Sequence, residues 1–170
     1  MPVAATYEPL ATYTIPTNGT GSYTFNSISQ AYTDLVICVN GNTSNRGTNL
    51  QYRFNGNSSA IYSLTFVRWD GTTSRDTVKV WGQTQPQADS FAQIAPAGAQ
   101  FTQWKMHVMN YANSSYYKGM LVEAGQGDYG ADITTHMFQS TSPITSVTIF
   151  GSANGWQAGT TMTIYGILRA

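Results

Sequence analysis

Hydrophobic and polar residues alternate along most of this chain with the period of two that a half-buried β-strand requires. "NLQYRFNG" sets Leu50, Tyr52 and Phe54 against Gln51 and Arg53 and ends in an Asn-Gly turn. "YSLTFVRW", "TVKVWG" and "QFTQWKMHVMNY" keep the same rhythm, although Phe101 falls out of phase with Trp104, Met106 and Val108, which predicts a bulge or a late strand start. "DLVICVNG" is instead continuously apolar, the pattern of a strand buried on both faces, and is expected to close on an Asn-Gly turn. "LATYTI", "YTF", "YKGMLVEAG", "DITTHMF" and "SVTIFG" add further short strands. In the closing "TMTIYGIL", Met162, Ile164 and Leu168 are expected to oppose Thr163, Tyr165 and Ile167.

Roughly ten short strands separated by turns, without a helical repeat, predict an all-β fold: a jelly-roll-like antiparallel β-sandwich forming a single domain over 1–170. The best place for a short helical turn is "NSSAIYSLTF", near Ala60–Ser63, with Asn or Ser as its cap. "TQPQADSFAQIAPAGAQ" reads as a long crossing loop carrying one short strand.

Composition narrows the function. Charged residues make up only 9 % of the chain and balance to a net charge of zero, with the basic residues scattered singly. Nucleic acid and anionic membranes, which need clustered Lys and Arg, are therefore not expected partners. The single cysteine, Cys38, offers neither a disulfide nor a metal pattern and is read as a small core residue. The start lacks the charged and apolar regions of a signal peptide, so folding in a cytoplasm is expected, and the sequons at Asn18, Asn42, Asn57 and Asn113 are read as by-products of an Asn/Ser/Thr-rich chain.

Chemistry-bearing residues are few. His107 is expected on an exposed strand face and His136 hydrogen-bonded in or near the core; no GxSxG nucleophile turn and no HxH pair occurs, so neither is assigned to catalysis or metal. Asp128 and Asp132 in "GQGDYGAD" have the spacing of a loose calcium loop without its ligand density, and turn stabilisation is the commoner role. No carboxylate pair suited to a glycosidase stands out, and no cofactor is expected. The aromatic residues carry more weight. Trp69, Trp81 and Trp104 lie on strands and are expected in the core. For loop residue Trp156 and for Tyr111, Tyr116 and Tyr117 in "NYANSSYY", interface and core are both open.

The stretches "TYEPLATYTI", "YTFNSISQAYTDLVICV", "LQYRFNG", "MHVMNYANSSYYKGMLVEAG" and "STSPITSVTIFGSANGWQAGTTMTIYGILRA" together resemble a family of small virion proteins of tailed phages, including cyanophages. The resemblance covers nearly the whole chain and departs from the family pattern at "TFVRWDGTTSRDTVKVWGQTQ" and the loop from Gln83 to Gln100. It implies a non-enzymatic protein of the virion's outer surface, made in the host bacterial cytoplasm. The implied role is capsid decoration or cement, with the major capsid protein and further copies of itself as partners, in a dimer or trimer. The alternative it implies is a tail-fibre or tail-tip module that recognises host surface glycans. The closing strand is then expected to complete a sheet, with Tyr165 and Ile167 packed, Gly166 permitting close approach and "EPLATYTI" pairing beside it. Trp156, Tyr111, Tyr116 and Tyr117 are the contact candidates, joined by Tyr7 in a start (1–9) that could extend as an arm onto a neighbour, and by Leu10 just after it.

Overall fold

The computed structural model describes residues 6–43, 49–69, 75–86, 102–126, 130–151 and 155–168. Among these the chain forms eleven β-strands and no helix. In chain order they are β1 (Tyr7–Thr14), β2 (Ser22–Phe25), β3 (Asp34–Gly41), β4 (Leu50–Phe54), β5 (Tyr62–Trp69) and β6 (Arg75–Gln83), then β7 (Thr102–Val108), β8 (Lys118–Gln126), β9 (Gly130–Phe138), β10 (Val147–Gly151) and β11 (Thr161–Ile167). Eight strands make one antiparallel sheet in the order β1-β11-β3-β7-β8-β9-β5-β6, and β2-β10-β4 make a second sheet of three. The protein is an antiparallel β-sandwich.

Alternation decides what lies between the sheets. In β7, Trp104, Met106 and Val108 point inward and Gln103, Lys105 and His107 outward; in β8, Met120, Val122 and Ala124 are buried while Leu121 and Glu123 are not. The small sheet answers with Tyr52 and Phe54 of β4 and Val147 and Ile149 of β10, all fully buried. Burying each such side chain contributes about 1.5–3 kcal/mol. At one flank the rings of Tyr13 on β1 and Tyr23 on β2 stack with centroids 3.6 Å apart, closing the space between the sheets.

β3 is buried along most of its length, as its continuous apolar run predicts. Its Asn40–Gly41 pair does not turn, however. Asn40 still pairs with Thr161 and Gly41 with Thr102, and a Cβ on Gly41 would lie 2.2 Å from the Thr160 methyl. The glycine serves a close approach. The Asn55–Gly56 pair does turn, with φ of 51° and 63°. The expected helical turn near Ala60–Ser63 is absent: Asn57 Oδ1 accepts from Ser59 N–H across a tight turn, and Tyr62 already begins β5. Tyr62 is held there by its hydroxyl, which accepts from Phe54 N–H at 3.0 Å and donates to Asn57 O at 3.3 Å, while burial pushes its phenol up to about 12. Phe101 and the strand expected within the crossing loop lie outside the described residues.

The two terminal segments meet as the sequence suggests. β1 pairs with β11 from Tyr7↔Ile167 to Thr14↔Thr161, with a register slip between Pro9 and Ala11 that makes Leu10 the extra residue of a bulge. Tyr7 to Pro9 are thus strand in this chain's own sheet and not an arm; residues 1–5 lie outside the described residues. Ile167 is packed, but Leu168, one residue past the strand, is exposed and does not join Met162 and Ile164 inside.

Gly166 shows why this strand needs glycine. A Cβ there would sit 2.4 Å from Cγ of the Tyr32 ring. Gly166→Ala is expected to cost about 1–3 kcal/mol through overpacking, measured as a lower urea midpoint. The added substitution Tyr32→Ala should recover part of the loss, whereas additive losses would show that the ring and the strand do not touch.

Candidate functional site

One end of the sandwich is formed by the start of β1, the entry to β3, the exit from β7 and the entry to β8. The loop from 109 to 117 lies here, and each of its turns has an identifiable cause. Asn110 adopts a positive φ of 50°, which breaks β7, and its N–H donates to Asp34 Oδ1 at 2.8 Å. The other carboxylate oxygen of Asp34 meets His107 Nε2 at 3.0 Å. Tyr111 then turns into the core: its ring is fully buried, its hydroxyl donates to Ser29 O, and its carbonyl accepts from Ile144 N–H. Asn113 closes the next turn, its Oδ1 accepting from Ser115 N–H at 2.6 Å and Tyr116 N–H at 3.0 Å.

Lys118 pins the loop from below. Its side chain is fully buried, and its ammonium donates to three carbonyls: Tyr116 O at 3.0 Å, Ser140 O at 3.3 Å and Thr141 O at 2.9 Å. An ammonium has three N–H donors, and all three are used. Burial lowers its pKa, and carbonyl dipoles take the place of a carboxylate partner. The outcome is a fixed backbone carrying two outward aromatic rings, Tyr116 at 73 % exposure and Tyr117 at 57 %, beside exposed Ser114 and Ser115. Lys118 reads in the sequence as one more scattered basic residue. The signal that could have singled it out is parity, since it shares the inward face of Met120 and Val122.

The other contact candidates divide. Tyr7 is exposed at the same end, edge-on to Tyr165 with ring centroids 6.3 Å apart. Leu10 is half-buried and packs on the core from its bulge. Tyr111 is a core anchor and not a contact residue. Trp156 is likewise 1 % exposed and leaves the contact set. It sits in a bridge: its N–H donates to Thr20 O, its carbonyl accepts from Gly19 N–H, and it also pairs with Thr43. The preceding Gly155, at φ 65°, brings the loop so close to Gly19 that a Cβ would lie 2.7 Å from Gly19's backbone. Trp156 thus plugs the opposite end of the sandwich.

Two tryptophans go the other way. Trp104 is in the core as expected, but Trp69 and Trp81 are exposed. Parity explains both: Leu64 and Phe66 take the inward positions of β5, leaving Trp69 outward, and the same spacing places Trp81 outward on β6. Cys38 is half-buried on the outward side of β3, opposite Thr163 and Lys105, and not in the core; burial pushes its thiol up, away from reactivity.

Among the described residues no three His, Cys, Asp or Glu side chains converge as a metal group would require. Asp128 lies outside the described residues, and Asp132 is buried on the inner side of β9. His107 is partly exposed and serves the Asp34 anchor. His136 is buried, as expected, with Nδ1 2.6 Å from the Tyr52 hydroxyl and Nε2 without a partner. Tyr52 also donates to Met120 Sδ at 3.7 Å. A proton on Nδ1, donated to the tyrosine oxygen, leaves no buried donor of this group unmet.

Two expectations follow from this chemistry. Lys118→Met removes three donors and leaves three carbonyls unanswered. It should lower stability by about 1–3 kcal/mol and speed amide exchange at Tyr116–Lys118 ahead of the core strands; uniform exchange across the sheet would show that the lysine does not pin this loop. For His136, burial lowers the folded-state pKa from 6.5 to about 3. The unfolded chain therefore binds the extra proton between those values. Stability from keeping this imidazole neutral is whole above about pH 6.5 and falls as the pH drops toward about 3, at up to about 1.4 kcal/mol per pH unit. His136→Gln should flatten that fall in urea titrations at successive pH values, and an unchanged slope would assign it to other groups.

No protein-family model matches this chain, and no curated protein sequence matches it.

Proposed function

We propose that this chain is a non-enzymatic structural protein of a tailed-phage virion, a decoration or cement protein that binds the outer capsid surface and strengthens the head. The observation that carries this reading is the pinned pair Tyr116 and Tyr117: exposed aromatic rings on a backbone that Asn113 and Lys118 hold in place. Such a contact loses little backbone entropy on binding, and each tyrosine freezes only two side-chain torsions. Tyr7, exposed at the same end, extends the contact chemistry. On a repeating lattice, many copies making one modest contact each reinforce neighbouring capsomers. The sequence resemblance to small virion proteins supplies the setting.

A second reading has one feature in its favour. Tyr116 and Tyr117 stand beside the hydroxyls of Ser114 and Ser115, and aromatic faces with adjacent polar groups also suit sugar rings. On that reading the chain is a tail-fibre or tail-tip module recognising host surface glycans.

Antibody labelling of the intact particle separates the two. Label spread over the head supports decoration; label confined to the tail tip overturns it and turns attention to glycans. The double variant Tyr116→Ala/Tyr117→Ala should keep its melting temperature, because both rings are outside the core, and should bind undecorated heads about tenfold more weakly, ~1.4 kcal/mol. Undiminished binding to heads would remove these tyrosines from the contact.

A further inference from the structure

The outward face of the eight-stranded sheet is divided. On the β1-β11-β3-β7 half, outward positions carry Thr12, Thr161, Thr163, Asn40, Gln103 and Lys105, and Thr12 and Thr163 share a hydroxyl–hydroxyl bond of 3.1 Å. The β8-β9-β5-β6 half instead exposes Leu121, Ile133, Met137, Val67, Trp69 and Trp81. Pairing makes these residues contiguous. Val67 stands directly opposite Ile133, Thr135 lies between Leu121 and Thr65, and Met137 lies between Gly119 and Ser63. Ile133, near the middle, is 48 % exposed, and Trp81 on the outermost strand is 59 % exposed.

We infer that this half-face is where two copies of the chain meet, outer sheet against outer sheet, around a two-fold axis near Val67 and Ile133. The inference rests on the virion reading for its biological setting and on the sheet face for its chemistry. Three observations select a second copy as the occupant. First, in an isologous contact each charge near the axis meets its own kind, so a self-pairing face must be close to uncharged. Among the described side chains, Glu123 at the margin is already paired with Lys105, and Lys79 lies over the Trp81 ring at 4.3 Å. Lys79 keeps its charge but stands on the outermost strand, so among the described side chains a charged partner would find a single ammonium to complement. Second, the Lys79 ammonium occupies one face of the Trp81 indole, the surface on which a sugar would stack. Third, the size is appropriate. Four strands span about 19 Å by about 25 Å, a footprint of about 500 Å² before side-chain relief is counted, against about 800 Å² per partner in a standard stable interface. Two such faces pack about 10 Å apart with their strands rotated by about 30°, which brings Ile133 and Val67 of one copy onto those of the other.

Sedimentation velocity on the purified protein, from nanomolar to high micromolar, should show a reversible monomer–dimer equilibrium. Ile133→Lys and, separately, Val67→Lys should each weaken the dimer at least tenfold, with unchanged far-UV circular dichroism as the control for folding. Thr163→Lys on the polar half should leave it intact. Should either lysine variant fail to fold, a spin label on Thr135→Cys in a Cys38→Ser background gives an independent reading, since labels near the axis on two copies should show dipolar coupling that dilution into the monomer removes. A protein that stays monomeric throughout overturns the inference. So does a dimer that both lysine variants leave unchanged, or one in which labels at Thr135 show no coupling. A monomer that still binds phage heads would leave the decoration reading standing and remove only the dimer.

Discussion

Tyr52 stands where the two sheets meet, and the sandwich depends on that contact. From the edge of the small sheet its ring reaches His136 on β9, Trp104 on β7 and Tyr62 on β5, and its hydroxyl engages both His136 and Met120. Three strands have to cover much of an eight-stranded sheet, and aromatic side chains span that gap with few residues. The same arrangement commits a histidine to the interior in its neutral form, because among the described residues no acid balances a charge at its unpartnered Nε2. Packing and proton affinity are here one constraint.

The two ends of the sandwich are closed by different chemistry. At one, Trp156 fills the opening with an apolar plug while its backbone bridges Thr20 and Thr43. At the other, Asp34, Asn113 and Lys118 answer backbone groups that turns leave unpaired. The plugged end is closed around its aromatic residue. The polar end instead holds its tyrosines outward, because its stability comes from carbonyl and amide partners beneath them. This difference is why the contact surface is read at the tyrosine loop and not at Trp156.

The outer face extends the same logic. A sheet half covered in threonine hydroxyls is at home in water, and a half covered in Val67, Ile133, Leu121 and two tryptophans is much less so. A chain with balanced and sparse charge has little electrostatic repulsion to keep such faces apart. The proposed lattice contact at one end and the inferred self-contact across one face are compatible demands, because they fall on different parts of the surface.

The strands were legible in the sequence because alternation is a local property. Tyr52 and Phe54 against Arg53, or Trp104 and Met106 against Lys105, reveal strand and inward side without knowledge of the neighbours. The pairing of the first and last strands was implied by the resemblance, whereas the close approach that Gly166 permits is to the Tyr32 ring and not to β1. Parity carried the outward positions of Trp69 and Trp81 too, but the general tendency of tryptophan toward the core obscured them. The rest was decided in three dimensions. Nothing local tells that Asn40–Gly41 continues a strand, since the reason is Thr160, more than a hundred residues away. Nothing local buries Trp156 or turns Tyr111 inward, since their places depend on loops converging from Gly19, Thr43, Ser29 and Ile144. Lys118 became a pin only when Ser140 and Thr141 brought their carbonyls beside it. The sequence by itself determined which residues could face a core; tertiary structure determined which loops met, because a loop's backbone groups must find partners wherever the rest of the chain presents them.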